Sequence, residues 1–344
     1  MSNFFNSLSK CYIIAEIGVN HNGDVKLAKK MMMEAKVSGA DAVKFQTFSA
    51  ESLVTKNTQK VKYQQATTSN DESHYDMIKN LELNESEFEE LFNYSGDIGI
   101  DFISTPYDIN STKFLNELGV KFFKTASADI VDLQLQEYIA KTGKRAIIAT
   151  GMATLGEIET VVDIYEKCGN ENLVLLHCVS NYPCSDESLN LKAIDVIKSA
   201  FDKPVGYSDH SIGTLASALS ISLGAKVIEK HFTLNKGFPG PDHKASSTPD
   251  EFKALVKEIR RVECMLGVRK KKRQVEEQQM AEVSRKSIVY SRDLKAGCEI
   301  KKEDLTVMRP GTGLPPYLLN DLIGLKLTKN VNSKILVKWG DIEE

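Results

Sequence analysis

The 344-residue sequence has no apolar stretch of the length that a membrane-spanning helix requires. Its first ten residues are polar and lack the charged-then-apolar order of a signal peptide. Charge of one sign is not in excess either, because the formal net charge is −3. We therefore expect a cytoplasmic protein with no membrane partner and no nucleic-acid partner.

Cysteine is scarce and is not spaced for a metal cluster. The six cysteines include no C-x-x-C pair, which favours isolated thiols over a zinc ribbon or a redox motif. Cys178 and Cys184 lie near the candidate site described below, and we interpret them as small buried residues because neither has an obvious base beside it. The Walker A and Rossmann fingerprints are also absent.

Short apolar runs, rich in β-branched and aromatic residues, alternate with amphipathic helical patterns. Runs of this kind are typical of buried parallel strands. Eight such units end near Leu266, and eight consecutive units close a (β/α)8 TIM barrel of about 250 residues. The predicted strands are Tyr12–Ile17, Ala42–Phe45, Phe102–Ser104, Lys121–Lys124, Arg145–Ala149, Leu173–His177, Pro204–Tyr207 and Ala225–Glu229. The predicted helices cover Ala28–Ala35, Asn84–Phe92, Asp132–Lys141, Leu155–Tyr165, Leu191–Phe201, Gly213–Leu223 and Pro249–Leu266.

The segment Thr47–Leu83 is too long for an ordinary connection between a strand and a helix. Segments of this length are usually lids or binding loops. Tyr63, Gln64 and the polar run Thr67–Ser73 are candidates to reach a substrate from it.

The pattern changes after residue 267. Residues 268–283 are polar and open with the basic run Arg269–Arg273, which we interpret as a solvated linker because no aromatic residues interleave with the charges. From Ser284 onward, short strands such as Ser287–Tyr290 and Leu305–Val307 alternate with turns. We predict a catalytic barrel over residues 1–267, a linker over 268–283 and a small β-rich domain over 284–344.

A polar or ionisable residue lies at the end of every predicted strand, where barrels of this type build their active sites. Lys44 and Lys124 end two of the strands, and two ammonium groups beside hydroxyl donors suit a phosphate-bearing carboxylate. The alternative is that one lysine merely neutralises Glu16 or Asp129. The accompanying hydroxyls belong to Thr105, Ser127 and Ser208.

Two histidines, His210 and His231, follow the seventh and eighth strands, which are neighbours in a barrel. Two imidazoles with one or two oxygens make a first-row metal site with open positions. A lone histidine is more often structural, but a pair on adjacent strand ends favours a metal site.

Several motifs together resemble the sialic acid synthase family, which includes N-acetylneuraminate and legionaminic acid synthases. They are Ala15–Gly23, Lys44–Thr47, Ser104–Pro106, Gly206–His210, Glu229–Leu234 and Gly240–Ser246. The stretch Arg309–Gly313 resembles the antifreeze-like (SAF) module of that family. The resemblance implies a barrel followed by an antifreeze-like SAF domain.

The resemblance also implies condensation of phosphoenolpyruvate with N-acetylmannosamine or a related acylamino sugar, with a divalent metal such as manganese or magnesium. It implies that His210 and His231 hold the metal. The phosphoenolpyruvate contacts that it implies are Lys44, Thr105, Lys124, Ser127 and Ser208. The contacts around the sugar that it implies are Glu16, Gln46, Tyr182, Asp242 and Arg309.

Proton transfer is assigned to Glu16 or Asp129, with Lys124 stabilising charge, and the sequence does not choose between the two carboxyl groups. The stretch Lys124–Asp129 departs from the pattern of many relatives, so the sugar stays open. Legionaminic acid synthase, which uses 2,4-diacetamido-2,4,6-trideoxymannose, is the alternative in the same class. A non-catalytic carbohydrate-binding protein is the alternative in a different class. We also predict a domain-swapped homodimer in which Arg309 acts in trans.

Overall fold

The computed structural model describes residues 3–61, 64–65, 68 and 72–343. Tyr63 and residues 67 and 69–71 of the polar run, which we expect to reach substrate, lie outside the described residues. The chain divides into two compact units, Met1–Gly267 and Val268–Glu344. None of the described helices is long and apolar enough to cross a membrane.

The first unit contains a closed barrel of eight parallel strands that neighbour one another in chain order. This confirms the predicted (β/α)8 TIM barrel. The strands are buried on both faces, as their continuous apolar sequences require. They are Tyr12–Gly18 (β1), Ala42–Thr47 (β2), Asp101–Pro106 (β3), Phe122–Thr125 (β4), Arg145–Ala149 (β5), Leu173–His177 (β6), Val205–Asp209 (β7) and Val227–His231 (β8).

Several helices of this unit begin at polar residues whose side chains cap them. The Asp24 side chain accepts from two backbone N–H groups of the first helix, and Thr248 forms a reciprocal capping box with Glu251 at the last. The helices are Val25–Val37 (α1), Ala50–Leu53 (α2), His74–Lys79 (α3), Glu85–Ile98 (α4), Ile109–Leu118 (α5), Leu133–Lys141 (α6), Leu155–Lys167 (α7), Ala193–Phe201 (α8), Leu215–Ser222 (α9) and Pro249–Leu266 (α10).

Helix α5 is not among the predicted elements. Leu115 is buried, and Phe114 and Leu118 pack against the core beside it, so the helix does carry an apolar face. Asp108 caps it by accepting a hydrogen bond from the backbone N–H of Ser111 at 2.7 Å. The sequence therefore carries two signals for this helix, its apolar face and its capping aspartate.

Apolar side chains fill the N-terminal end of the barrel interior. Phe5, from a short 3-10 helix that precedes β1, packs there with the first inward-facing residues of the strands. Those residues are Tyr12, Ile14, Ala42, Ile103, Phe122, Ile147, Val174, Leu176 and Val227. Successive side chains of a strand alternate between its two faces, so the residue two positions further along each strand faces the same interior at its C-terminal end.

Gly206 on β7 belongs to this apolar layer. A Cβ atom at this position would lie 2.4 Å from Leu176 Cδ2 and 2.4 Å from the Val227 carbonyl oxygen. The strand therefore needs glycine here in order to pack between its two neighbours.

The second unit is built from two short antiparallel strand pairs around a small apolar core. Strands Ser287–Tyr290 (β9) and Leu305–Met308 (β10) form one pair, and Lys326–Leu327 (β11) and Ile342–Glu343 (β12) form the other. The core of this unit comprises Ile288, Tyr290, Leu294, Ile300, Leu305, Leu322, Leu327, Val331 and Val337. The module is β-rich, as the sequence predicts.

Part of the segment predicted as a linker is helical. Helix Gln278–Ser284 (α11) precedes β9, and the Gly311 backbone N–H donates to the Glu282 carbonyl oxygen at 2.7 Å. This bond ties α11 to the turn that carries Arg309, whose side chain is exposed.

Candidate active site

The C-terminal ends of the barrel strands surround a cavity of about 300 Å³. Almost every site residue predicted in this unit lies on its lining. The predicted residues that line it are Glu16, Lys44, Gln46, Thr105, Lys124, Ser127, Tyr182, Ser208, His210, His231 and Asp242. The strands place them there because each faces the interior two or four positions after a residue of the apolar layer, or comes from the loop beyond.

Four charged side chains form a buried network on the cavity floor. Lys44 Nζ lies 2.8 Å from Glu16 Oε2 and 3.7 Å from Glu229 Oε2, and Lys124 Nζ lies 3.6 Å from Glu229 Oε1. Each of these side chains is at most 5% exposed. Buried charges need such partners, because an unpaired one costs several kcal/mol. Two cations and two anions thus balance one another on the floor.

Glu229 is a site residue that the sequence analysis did not single out. It lies between the two lysines and accepts a hydrogen bond from Ser208 Oγ at 2.9 Å. The signal was available, since Glu229 and His231 are two positions apart on β8 and must share the inward face. The predicted end of this strand at Glu229 concealed that relationship.

The two carboxyl groups of the floor have opposite pKa shifts. Burial raises the pKa of Glu16 to about 7; Lys44 opposes that rise, and the negative charge of Glu229 adds to it. Burial acts in the same direction on Glu229, but Lys124, Lys44 and the bond from Ser208 outweigh it and hold that pKa at about 2. Glu229 is therefore a fixed anion, and Glu16 can take up or release a proton near neutral pH.

Hydrogen bonds around the floor fix the lysine and carboxyl side chains. Lys44 Nζ donates to Thr105 Oγ1 at 3.2 Å, and Gln46 Nε2 donates to Glu16 Oε1 at 3.1 Å. These side chains come from β1, β2 and β3, so three neighbouring strands hold one ammonium group in place.

The two predicted metal ligands face each other across the same cavity. The ring centroids of His210 and His231 are 5.7 Å apart, and the Tyr182 ring packs against His210 at 4.1 Å. Burial lowers the pKa of both imidazoles, which keeps them neutral.

The hydrogen bonding of the histidines fits a metal site. His210 Nδ1 lies 2.7 Å from the Val179 carbonyl oxygen, and donation to it directs the Nε2 lone pair towards a metal, as in most metal-binding histidines. Ser208 Oγ lies 3.4 Å from this Nε2, and its proton goes to Glu229. His231 Nδ1 is buried without a hydrogen-bond partner. Among the described residues, no group of three or more His, Cys, Asp or Glu side chains is arranged to hold a metal ion. A metal here would take two protein nitrogens and complete its coordination with water or substrate.

A buried ion pair lies behind the histidines. Lys230 Nζ is 2.9 Å from Asp209 Oδ2, and these residues directly precede His231 and His210. Asp209 also accepts from the hydroxyls of Ser211 and Ser217 at 2.7 and 2.6 Å. The pair joins β7 to β8 on the side away from the cavity, which fixes the separation of the two imidazoles.

Ser127 lies beside Gly151 and Cys178. Its Oγ accepts from the Gly151 backbone N–H at 3.1 Å and lies 3.1 Å from Cys178 Sγ. Burial raises the pKa of the Cys178 thiol, which disfavours a reactive thiolate. A Cβ at Gly151 would lie 2.5 Å from Ser180 Oγ and 2.7 Å from Ser127 Oγ, so a larger residue here would displace both hydroxyls.

The other predicted acids differ in position. Asp242 lines the cavity, and burial raises its pKa to about 6. Asp129 lies in the 3-10 helix Ser127–Val131 and is not among the described residues that line the cavity, although burial also raises its pKa to about 6. Arg309 belongs to the second unit.

Comparison with known proteins matches both units. The NeuB family matches residues 31–271, and the SAF domain matches residues 285–343. The chain is 44% identical over 337 residues to N,N'-diacetyllegionaminic acid synthase of Legionella pneumophila, covering 97% of this chain and 95% of that protein. It is 44% identical to the enzyme of the same name from Campylobacter jejuni, covering 96% and 100%. Among solved structures, N-acetylneuraminic acid (sialic acid) synthetase from Leptospira borgpetersenii superimposes with a TM-score of 0.71 at 37% identity, covering 80% of this chain and 91% of that one.

Proposed function

The chain belongs to the NeuB family, and we propose from that premise that it is a nonulosonic acid synthase. In the proposed reaction, phosphoenolpyruvate and an open-chain acylamino sugar condense and release phosphate. The observation that carries the proposal is the buried floor, where Lys44 and Lys124 lie in one cavity with the facing pair His210 and His231.

The lysines account for binding of phosphoenolpyruvate. Its phosphate and carboxylate carry negative charge, which two buried ammonium groups stabilise more strongly than water-exposed ones would. The hydroxyls of Thr105 and Ser127 would donate to the remaining oxygens, and the Ser208 hydroxyl, which donates to Glu229, lines the same cavity.

The chemistry forms one carbon–carbon bond. The methylene carbon of phosphoenolpyruvate attacks the aldehyde carbon, and water adds at the carbon that bears the phosphate group. The bond between this carbon and the phosphate oxygen then breaks. The aldehyde oxygen takes up one proton of the water, and the other leaves with the phosphate as the water oxygen becomes the new carbonyl oxygen. Glu16 is better placed than Asp129 to handle these protons, because it lines the cavity beside Lys44 and Gln46.

His210 and His231 would hold a divalent manganese or magnesium ion, which when bound supplies Lewis acidity for the aldehyde oxygen. The Val179 carbonyl keeps the His210 ring in one orientation and tautomer.

The sugar has two candidates. N-Acetylmannosamine is one, and 2,4-diacetamido-2,4,6-trideoxymannose is the other. The two relatives at 44% identity are named for the diacetylated product, which favours the second over the first.

Phosphate release tests the proposal. The purified protein, with Mn²⁺ or Mg²⁺, should release phosphate from phosphoenolpyruvate only when an acylamino sugar is present. A non-catalytic carbohydrate-binding protein would bind sugar and release none, and that result would refute the proposal.

We also propose a domain-swapped homodimer in which Arg309 serves the partner subunit, as the family resemblance suggests. The guanidinium fork suits the carbonyl of an N-acyl group. Mixed dimers of His231→Ala and Arg309→Ala chains should then regain part of the activity that each variant lacks. No recovery after demonstrated subunit exchange would show that each barrel uses its own arginine.

A further inference from the structure

Two loops at the C-terminal end of the barrel lie side by side, because β1 and β8 are neighbours in the closed barrel. The first loop, residues 19–24, follows β1, and the second loop, residues 232–248, follows β8. Where the second loop begins, the Phe232 backbone N–H donates to the Glu16 carbonyl oxygen at 2.7 Å. The second loop also carries Asp242, which lines the cavity. Contacts between the two loops therefore affect where this acid lies.

The side chain of Asn20 joins the two loops. It is fully buried, and its Nδ2 donates to the Phe232 carbonyl oxygen at 2.9 Å and to Ser246 Oγ at 2.8 Å. Ser246 Oγ in turn donates to the Asp242 carbonyl oxygen at 2.7 Å. We define the Asn20–Ser246 clamp as these three hydrogen bonds. The clamp runs from the first loop to the backbone of Asp242, and a satisfied buried network of this kind makes the structure around it rigid.

Close packing holds the second loop on the N-terminal side of Asp242. Asn22 Nδ2 donates to the Pro239 carbonyl oxygen at 2.9 Å, and His243 Nε2 lies 3.3 Å from Asn22 Oδ1. Gly240 has a φ of 142°, and a Cβ atom there would lie 2.8 Å from His243 Cδ2 and 2.9 Å from Asn22 Oδ1. Glycine is therefore needed for the two loops to approach this closely.

The carboxyl group of Asp242 is held in a different way from that of Glu16. Lys44 and Gln46 contact the Glu16 carboxyl group directly. The Asp242 carboxyl group makes no hydrogen bond or ion pair with any residue that the structure describes, although it lines the same cavity. Its position is therefore set by its backbone, and the clamp holds that backbone.

A carboxyl group that faces a cavity without a protein partner can accept hydrogen bonds from a ligand. Phosphoenolpyruvate is an anion, which a carboxylate repels, and its charged groups match the lysines of the floor. An acylamino sugar carries hydroxyl and amide N–H donors instead. The sugar is therefore the ligand that Asp242 suits, as the family resemblance also implies.

We propose that Asn20 and Ser246 are positioning residues for the sugar, because they hold the backbone of Asp242 where its carboxyl group can accept from the sugar's donors. The inference rests on the proposed function and adds two residues to its site. Neither residue lines the cavity, so each acts through the backbone that it holds.

The first test removes the hydroxyl of the clamp. Phosphate release is measured while the sugar, N-acetylmannosamine or 2,4-diacetamido-2,4,6-trideoxymannose, is varied. Ser246→Ala should raise the KM for the sugar by about three- to tenfold, the usual value of one hydrogen bond, and leave the KM for phosphoenolpyruvate unchanged. An unchanged KM for the sugar, or an equal rise in both KM values, would overturn the inference.

Ser247→Ala is the matched control. Ser247 is the next residue of the loop and is 6% exposed, and its hydroxyl makes no hydrogen bond to any residue in the described part of the chain. Both KM values should stay unchanged in this variant. Asn20→Ala should raise the KM for the sugar as Ser246→Ala does; if thermal unfolding shows that it does not fold, Ser246→Ala still decides the question.

A double-mutant cycle tests whether Ser246 acts through Asp242. Asp242→Ala alone should raise the KM for the sugar by about ten- to a hundredfold, because it removes a charge-assisted contact. Once residue 242 is alanine, Ser246→Ala should change that KM by less than about twofold. Effects that multiply would show that Ser246 does not act through Asp242, and would overturn the inference.

The outcomes separate the two proposals. Absence of phosphate release from the unaltered protein with either sugar would refute the proposed function. Turnover by the unaltered protein, with the same KM for the sugar in Ser246→Ala as in Ser247→Ala, would overturn the Asn20–Ser246 clamp alone.

Discussion

The inward-facing residues of the eight strands form two halves of one barrel with opposite chemistry. Ile14 and Val227 lie in the apolar half, and two positions further along the same strands Glu16 and Glu229 lie in the charged half. The strand backbone, and the alternation of side chains between its two faces, are the same in both halves. What differs is the environment, since one half is closed by Phe5 and the other opens into the cavity. One strand can therefore supply stability at one end and chemistry at the other.

Removing the metal-binding pair should have the largest effect on the charged half. We expect His210→Ala and His231→Ala to lower phosphate release about a thousandfold or more, because a Lewis acid is worth several kcal/mol to the transition state. A chelator should do the same to the unaltered protein. His177→Ala is the control, since His177 ends β6 but bonds to the Leu189 carbonyl instead of lining this cavity. Full activity in both variants would show that His210 and His231 do not hold a metal that the reaction needs.

The second prediction contrasts the halves directly. Lys44→Met and Lys124→Met should weaken phosphoenolpyruvate binding by about ten- to a hundredfold, because each removes a charge-assisted contact of about 1.5–3 kcal/mol. Ile14→Ala should instead lower the free energy of unfolding by about 2–5 kcal/mol and leave phosphoenolpyruvate affinity unchanged.

Calorimetric titration with phosphoenolpyruvate and denaturant unfolding measure the two quantities. If Ile14→Ala weakened binding as much as the lysine variants, the two halves would not be independent. If both lysine variants bound normally, the phosphate site would lie elsewhere.

The sequence predicted more of the barrel than of the floor. Apolar runs reveal buried strands well, and all eight were found, because burial on both faces leaves a continuous signal. Helix α5 is missing from the prediction although it has an apolar face and a capping aspartate. The ends of strands are harder to predict, because an apolar run stops before the strand does when its last residues are polar, as they are in β8. The sequence thus placed His231 at the site but overlooked Glu229 on the same face.

Contacts between strands were predicted from the sequence only as alternatives, such as a lysine that neutralises Glu16. The bond of Lys44 to Glu16 and the position of Glu229 between two lysines depend on which strands neighbour one another and on their register. The apolar residues that line the cavity from the segment between β2 and α4, such as Phe48 and Met77, could not be predicted either, because the sequence of that segment carries no strong period.

The smallest expected effect concerns a single hydroxyl. Thr105 Oγ1 accepts from Lys44 Nζ at 3.2 Å, so Thr105→Val should weaken phosphoenolpyruvate binding by about two- to tenfold, the usual value of one hydrogen bond. Thr112→Val is the control in the same unit; its buried hydroxyl donates to the Asp108 carbonyl at 2.9 Å, away from the cavity. That change should lower stability by about 1 kcal/mol without altering binding.

A double-mutant cycle shows how Thr105 acts. If it works by positioning the Lys44 ammonium group, Thr105→Val should have little further effect on binding once Lys44 is methionine. If the hydroxyl contacts phosphoenolpyruvate independently, the two losses should add. Additive losses of affinity would show that Thr105 contacts phosphoenolpyruvate directly. Equal losses of affinity in Thr105→Val and Thr112→Val would show that binding reflects the stability of the protein alone. The cycle therefore tests whether binding in the charged half depends on contacts between neighbouring strands that position its side chains. The packing of the apolar half depends on contacts between strands in the same way.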